Sequence, residues 1–597
     1  MKPTDVSDPE FFHKVVDCQY ACPAHTPVPA YIRLIAQQNY TDAYLINWES
    51  NVFPGVLGRT CDRPCEPACR RGRVEEEPVA ICRLKRVAAD FKDDIADRLP
   101  KAGKPNGMKV ALIGAGPASL TVARDLAPLG YEIHLYDEQP KAGGFMRSQI
   151  PSFRLPESVL DEEIGYVLDL GVTQVFDTYV DSMADLLSKG YDAVFVGSGA
   201  PKGRDLPKLA GRKEADANIH VGINWLANVA FEHIETIGKK VIVLGGGNTA
   251  MDCCRTARRL GADDVKVIVR SPFDDMKASP WEKEDAMHEG IPILDNHVPL
   301  EFVVEKGKLT GMHFDKVEPV YHDDGRRELV STGEDPVFVP CDDVLVAIGQ
   351  ENAFPWIEKS TGIRFTSWGT PIINDDKTFQ STRKEVFFGG DSAFGPANII
   401  TAVAHGHQAA VSIDLYCQGK KISDRPAPNV TLISQKMGIH EWSYDSIPIT
   451  DERKIVPLVE LDQALSDRSL EVELGFDPET AFIEAERCLN CDAQTVFTAD
   501  SCIECDACTD ICPTSCINFI QNAPEDDLRQ KLAVPADNLE QPLYVSGTLE
   551  TGKVMVKDED VCLHCGLCAE RCPTAAWDMQ MFFYNTTKAT PKLVKQR

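Results

Sequence analysis

The stretch Met108-Lys-Val-Ala-Leu-Ile-Gly-Ala-Gly-Pro-Ala-Ser119 constrains the fold more than any other. An apolar run, Lys109–Ile113, leads into a glycine turn, and Pro117 suits the first position of a helix. Strand, turn and helix in that order open a βαβ unit in a parallel sheet. Gly114 permits the tight turn. Gly116 lets the backbone approach a pyrophosphate, which then sits on the positive end of the helix. Ser119 stands where the usual pattern has its third glycine, so the motif is weak taken alone. The next strand, Glu132–Tyr136, strengthens it by ending on Asp137, about twenty residues on, where an acid holds a ribose hydroxyl. The alternative is a glycine turn in some other parallel sheet.

A second fingerprint makes the combination far more specific. Lys240–Leu244 reads as a buried strand, Gly245-Gly-Gly247-Asn248-Thr249-Ala250 as the turn, and Met251–Leu260 as the helix. The following strand, Val265–Val269, ends at Arg270, where an NAD site carries its acid. An arginine there suits the 2′-phosphate of NADP, because a guanidinium forks onto phosphate oxygens. Cys253 and Cys254 lie behind the turn and read as packing residues.

Between and after these motifs the first fold leaves and resumes. The strand Asp192–Val196 runs into Gly197-Ser-Gly199, and Cys341–Gly349 is another strand-to-glycine exit. Gly143–Pro156 reads as a turn-rich connection without regular elements. Val386-Phe-Phe-Gly389-Gly390-Asp391 precedes a small-residue helix, about Ala397–Tyr416. A strand ending in Gly-Asp before a helix is how flavin enzymes hold the ribityl-phosphate. His405 and His407 on that helix could donate protons, but packing or surface roles weigh more.

Net charge is −29 over 597 residues, which excludes nucleic acid as a partner, since phosphate binding needs a basic face. The first ten residues lack the apolar core of a signal peptide, and no apolar run approaches the ~20 residues of a membrane helix. A cytoplasmic protein without membrane insertion is expected. In that compartment the 21 cysteines read as metal ligands rather than disulfides. Six lie within 18–82, four within 253–417 and eleven within 488–572, so the metal sites belong at the two ends.

At the C-terminal end Cys502-x2-Cys505-x2-Cys508-x3-Cys512-Pro is repeated as Cys562-x2-Cys565-x2-Cys568-x3-Cys572-Pro. This duplicated run is the signature of a bacterial two-cluster ferredoxin, in which the fourth cysteine of each run ligates the other cluster. The expected sets are Cys502, Cys505, Cys508 with Cys572, and Cys562, Cys565, Cys568 with Cys512. Cys516 aligns with Ala576 and reads as a bystander. Residues 521–550 are a long insert between the runs, and residues 422–480, with Pro426, Pro428, Pro448 and Pro457, read as a poorly patterned connector.

The N-terminal end carries Cys18-x3-Cys22-Pro, Cys61-x3-Cys65-x3-Cys69 and Cys82, with short helices expected at Val28–Asn39 and Asp42–Glu49. Arginines 59, 63, 70, 71, 73, 83 and 86 crowd these thiols, which suits an anionic iron–sulfur cluster. Zinc is the alternative, although zinc knuckles favour Cys-x2-Cys pairs.

Taken together, residues 18–420 resemble the small (beta) subunit of NADPH-dependent glutamate synthase. The related flavin modules occur in dihydropyrimidine dehydrogenase and NADH-dependent ferredoxin:NADP oxidoreductase. The matching pieces are Gly58-Arg-Thr-Cys61, Gly114-Ala-Gly116-Pro117-Ala118, Gly143-Gly144, Ile150-Pro-Ser-Phe-Arg154-Leu-Pro156, Gly245-Gly-Gly247-Asn-Thr-Ala-Met-Asp252 and Gly390-Asp391. The resemblance implies FAD on Gly114, Gly116, Pro117, Ala118, Asp137, Gly144, Arg154, Gly390 and Asp391. It implies NADP(H), with NAD(H) as the alternative, on Gly245, Gly247, Asn248, Thr249 and Arg270, and two [4Fe-4S] clusters in the N-terminal domain.

Three departures stand out. The family's opening Cys-x2-Cys pair is missing before Cys18, while Glu484-Ala-Glu-Arg-Cys488-Leu-Asn-Cys491 resembles that opening segment. Ser271 replaces the second arginine of the family's Tyr-Arg-Arg, weakening the case for NADP over NAD. Neither a glutaminase domain nor a flavin-binding barrel is present, so neither glutamate synthesis nor pyrimidine reduction can be completed by this chain alone. The resemblance also places Lys85 where dihydropyrimidine dehydrogenase has a glutamine ligand, a role an ammonium cannot fill. Cys82, one turn earlier, can take it over, giving Cys22, Cys61, Cys65 and Cys82 as one set. Cys18 and Cys69 then pair with Cys488 and Cys491, the remaining Cys-x2-Cys, as the segment folds back; the alternative is that Cys488 and Cys491 are buried structural thiols and the N-terminal domain holds one cluster only.

The expected architecture is multidomain α/β. It comprises a helical [4Fe-4S] domain (1–105), a Rossmann-like FAD domain in two parts (106–200 and 346–421) with the NAD(P)H domain inserted (201–345), a connector (422–491) and a ferredoxin-like α+β domain (492–597). Two functional readings follow. One is an oxidoreductase moving electrons between NAD(P)H, FAD and four [4Fe-4S] clusters, to or from ferredoxin, with the resemblance leaving electron bifurcation open. The other is an electron-transfer and docking subunit of a hetero-oligomeric complex whose substrate chemistry lies in a partner redox subunit. No catalytic side chain is assigned.

Overall fold

The computed structural model describes residues 1–75, 77–322, 326–434, 451–536 and 538–589. The expected connector residue Pro448 lies outside them. The chain divides into two compact units, one of Met1–Leu99, Asp424–Val456 and Gly475–Arg597, the other of Pro100–Ser423 and Pro457–Leu474.

The second unit holds both glycine fingerprints. Its first sheet is all parallel, in the order Val386–Phe388, Ala193–Val196, Lys109–Ile113, Glu132–Tyr136 and Thr173–Val175. Its strands are apolar on both faces because helices cover both sides of such a sheet. After Ala193–Val196 the chain departs into a second parallel sheet, ordered Ile219–Val221, Asp343–Val346, Lys240–Leu244, Asp264–Ile268 and Ile293–Leu294. It returns after Asp343–Val346, and the short antiparallel ribbon Lys202–Gly203 with Gln350–Glu351 joins the outgoing and returning chains. An antiparallel sheet of His297–Glu305, Lys308–Tyr321, Arg327–Ser331 and Val337–Pro340 completes the inserted part.

Within this unit the strands expected at Lys109–Ile113, Glu132–Tyr136 and Lys240–Leu244 are observed with those limits. The second fingerprint helix spans Asn248–Arg259 and starts directly at the glycine turn, earlier than expected, because Gly247 is already its extended N-cap. The stretch 143–156 does contain a single helical turn, Phe145–Ser148, entered through Gly144 at φ 51°. Cys253 and Cys254 are core residues beside Val243 and Val267. His407 is buried with Nδ1 2.6 Å from Asp125 Oδ2, and His405 packs edge-on to Phe394, so both have packing roles.

The first unit brings the two ends of the chain together. Its N-terminal part is helical, with Val28–Ala36, Tyr40–Asn51, Pro54–Thr60 and Ile81–Asp90. Its C-terminal part has paired short helices, Ala507–Ile511 and Leu567–Arg571, and two antiparallel sheets. The first sheet is Asn429–Ser434, Trp577–Asn585 and Ala493–Phe497, and the second Ile517–Gln521, Lys553–Lys557 and Tyr544–Val545. The described parts of the connector hold more regular structure than its prolines imply. Asn429–Ser434 becomes a strand because Trp577–Asn585 supplies a pairing edge, and the helix Pro478–Glu486 belongs to the same unit, whereas the helix Leu461–Ser466 belongs to the second.

Candidate functional site

The first nucleotide cradle is built from three glycine turns that touch. Gly114 has φ 88°, and a side chain there would start 2.7 Å from the Gly197 carbonyl oxygen. Gly144, at φ 51°, would start 2.8 Å from Gly116 Cα. Gly390, at φ 62°, lies against Ala118 Cβ. Around Gly116, by contrast, a Cβ would meet only Gly197 O, at 3.9 Å. The helix Pro117–Leu126 starts at Gly116 without a side-chain cap, so its first N–H groups point at the turn. This arrangement fits a pyrophosphate. Asp137 accepts from the N–H groups of Ala115 (2.6 Å) and Gln139 (2.8 Å), bracing the turn. Asp391 accepts from the Ala397 N–H at 3.0 Å, and burial pushes its pKa up to about 6.

Arg154 is committed elsewhere. Its guanidinium bonds Asp252 Oδ1 at 2.5 Å and also Glu282, both in the inserted nucleotide part. Its neighbour Phe153 lies under the guanidinium of Arg259, 3.8 Å from ring centroid to Cζ. Two motifs far apart in sequence, around 150–156 and 245–252, are thus joined by a buried ion pair.

The second cradle faces a cleft lined by Gly245, Gly247, Thr249, Arg270, Ser271, Lys277 and Arg327, among others. Gly245 has φ 135°, and a Cβ there would lie 2.1 Å from the Ala347 carbonyl oxygen. The helix behind it begins at Gly247 with no side-chain cap, which again suits a phosphate. Asn248 is not among the residues lining the cleft; its Oδ1 accepts from the Ser279 N–H at 2.8 Å.

All 21 cysteines are free thiols. Cys18, Cys69, Cys488 and Cys491 line one cavity with Asp17, Arg70 and Arg71. What returns the 484–491 segment is a buried ion pair: Glu484 accepts from the Ala80 N–H (2.8 Å) and pairs with Arg487 (2.9 Å), which also donates to the carbonyls of Glu77 and Pro78. Arg33 adds a two-pronged bond to Asp492, each contact 2.6 Å. Cys61 and Cys65 are each within hydrogen-bonding reach of Cys82. Lys85 is buried beside them; burial opposes its charge, but Cys82, Cys61, Cys65 and Cys22 together hold its pKa above the ordinary lysine value.

In the tail, Cys512 lines a cavity with Cys562, Cys565 and Cys568, while Cys572 lies among Cys502, Cys505 and Cys508. The crossed arrangement is thus present in the side-chain positions. Convergent thiols without disulfides fit iron–sulfur clusters. Cys516 also lines the Cys562 cavity, with its Sγ 3.5 Å from Cys512 Sγ.

Several residues escaped the sequence reading. Arg70, next to Cys69, donates to Asp17 (2.8 Å) and to the carbonyl oxygens of Cys562 (2.7 Å) and Glu559, and it contacts His564 Nε2 (3.3 Å). Gln494 bonds the Cys491 carbonyl and reaches His564 Nδ1 at 3.4 Å. Lys557 is fully buried beside Cys562 and pairs with Glu559 at 3.0 Å. Of the crowded arginines, Arg59 and Arg86 pair with Asp90, and Arg71 with Glu75, so part of the expected positive charge is neutralised. The crowding itself was the one sequence signal for Arg70.

Comparison with known proteins agrees with this layout. The family model for pyridine nucleotide-disulphide oxidoreductase matches residues 108–406. Residues 13–96 match dihydropyrimidine dehydrogenase domain II, 4Fe-4S cluster, and residues 501–576 a 4Fe-4S dicluster domain. The NADP(+)-dependent formate dehydrogenase subunit beta of Moorella thermoacetica is 36% identical over 79% of this chain and 70% of its own length. The NADPH-Fe(3+) oxidoreductase subunit beta of Geobacter sulfurreducens is 30% identical over 82% and 77%. The glutamate synthase [NADPH] small chain of Escherichia coli strain K12 is 32% identical over 66% and 87%. The chain belongs to the pyridine nucleotide-disulphide oxidoreductase family, in the branch of NAD(P)H-dependent iron–sulfur flavoproteins that includes the glutamate synthase small chains. Among the described residues no helix is long and apolar enough to cross a membrane.

Proposed function

We propose that this chain is the electron-distributing subunit of a hetero-oligomeric redox enzyme in the cytoplasm, exchanging hydride with NADP(H) and single electrons with a partner redox subunit or ferredoxin. FAD, when bound, links the two-electron chemistry of a nicotinamide to the one-electron chemistry of clusters. Gly114, Gly116 and Gly144 would hold its pyrophosphate, Asp137 its ribose and Gly390-Asp391 its ribityl-phosphate. Gly245, Gly247 and Thr249 would seat the pyrophosphate of NADP(H), and Arg270 its 2′-phosphate. Arg154, paired with Asp252 and Glu282, positions the two nucleotide folds.

Four [4Fe-4S] clusters would sit on the four thiol quartets, with Lys85 and Lys557 supplying buried positive charge against their negative charge. The observation that carries the reading is the convergence of Cys488 and Cys491 on Cys18 and Cys69, with Arg70 reaching from that cavity to Cys562. It favours a continuous chain of one-electron sites over two separate metal domains.

Anaerobic purification of the full chain from its native source tests this. About sixteen irons and one FAD per chain are expected. NADPH should reduce a viologen dye, and a second redox chain should co-purify. A colourless zinc protein without flavin would overturn the reading.

A further inference from the structure

The cleft behind the second glycine turn contains a cation that the strand-end pattern does not foresee. Ser271 follows Arg270 just beyond the end of the nucleotide strand, and its Oγ receives a 3.1 Å bond from Arg327 Nη2, 56 residues further along. Arg327 opens the strand Arg327–Ser331, whose register sets it opposite Tyr321 of Lys308–Tyr321. Both reach the same carboxylate: Tyr321 Oη donates to Asp275 Oδ2 at 2.8 Å and Arg327 Nη1 at 2.6 Å. The antiparallel sheet is tied to the end of the nucleotide strand by the His297 N–H, which donates to the Val269 carbonyl at 2.9 Å. Arg270, Ser271, Lys277 and Arg327 line one cleft with Gly245, so the antiparallel sheet brings a second guanidinium to the cleft that Arg270 lines.

We propose that Arg327 is a specificity-determining residue of this site and, with Arg270, binds the 2′-phosphate of NADP(H). The chemistry favours the assignment. A phosphate monoester carries nearly two charges and presents several oxygens, so it is matched by two planar guanidinium forks better than by one. The bonds to Asp275 and Ser271 hold the side chain at the mouth of the cleft, which lowers the entropy of ordering it around the ligand. Asp275 also bears on discrimination. With Arg327 paired to it, this carboxylate is masked from an incoming phosphate; without Arg327 it would repel one.

The proposal rests on reading this cleft as the NADP(H) site, and the test separates the two claims. Binding of 2′,5′-ADP and of 5′-AMP to the full chain is measured by calorimetry for wild type, R270A, R327A, R327K and D275N. R327A should weaken 2′,5′-ADP roughly 10- to 100-fold, the effect of removing a charged hydrogen-bonding partner, and leave 5′-AMP unchanged. R327K should restore part of the loss, and D275N should not weaken 2′,5′-ADP. If R270A shows the discrimination and R327A does not, the assignment of Arg327 is overturned while the site stands. Equal loss of both nucleotides in R327A would overturn it too, by showing a structural role. If wild type binds 5′-AMP as tightly as 2′,5′-ADP, the NADP reading itself fails, and the proposal with it.

Discussion

Arg70 and Cys562 are 492 residues apart in sequence, yet Arg70 Nη1 donates to the Cys562 carbonyl oxygen at 2.7 Å. The residue before Arg70 and the residue it bonds belong to two different thiol quartets. A single side chain thus links the segment of Cys69 to the segment of Cys562. Its Nε bond to Asp17, the neighbour of Cys18, holds the guanidinium in place.

Replacing Arg70 by Ala should therefore lower the stability of the first unit by about 1.5–3 kcal/mol, the range for hydrogen bonds to a charged group. The readout is the temperature at which the visible cluster absorbance is lost, together with magnetic coupling between reduced clusters in EPR spectra. Both should fall in R70A. Unchanged coupling would mean that this link does not hold the two segments in place.

The flavin cradle gives a second expectation. Ala at position 144 would have to adopt φ 51° and place its Cβ 2.8 Å from Gly116 Cα. This positive-φ conformation, outside the left-handed helical well, costs a residue with a side chain on the order of 1–3 kcal/mol, and the contact pushes the two turns apart. G144A should lose FAD, measured by released flavin, while its iron content stays at the wild-type level. Full retention of FAD would contradict the assignment of the cradle.

The buried group of Arg124, Asp125 and His407 makes stability depend on acid. Burial alone would raise the Asp125 pKa, but His407 and Arg124 pull it well below its ordinary value of 3.8. A carboxyl depressed in the folded state stabilises at every pH above its unfolded value and loses that contribution as pH falls toward the folded one. The melting temperature should thus drop below about pH 4, where the unfolded carboxyl begins to bind its proton. D125N should melt lower at neutral pH and show a smaller acid-induced drop. An equal drop in both proteins would contradict this.

How far the molecule could be read from its sequence depended on the range of the interaction. Lys109–Ile113 and Lys240–Leu244 were legible because an apolar run, a glycine turn and a helix start are local features. The two C-terminal cysteine runs, 502–512 and 562–572, were legible because their spacing is itself the signal. Asn429–Ser434 was not, since its strand identity comes from pairing with Trp577–Asn585, remote in the chain. Arg327 was hidden, and Arg70 visible only as one of the arginines crowding the N-terminal cysteines, for the same reason: each bonds to a segment remote in the chain. The role of Arg154 was only half visible, because the motif shows an arginine but not its bonds to Asp252 and Glu282.

The most direct test of the account is the double variant C488S/C491S in the full chain. The account predicts a loss of about four irons, one four-iron site. The EPR signals of the other clusters should remain, FAD should still bleach on adding NADPH, and reduction of the tail clusters by NADPH should be slowed. An unchanged iron count, with tail clusters reduced as fast as in wild type, would contradict it.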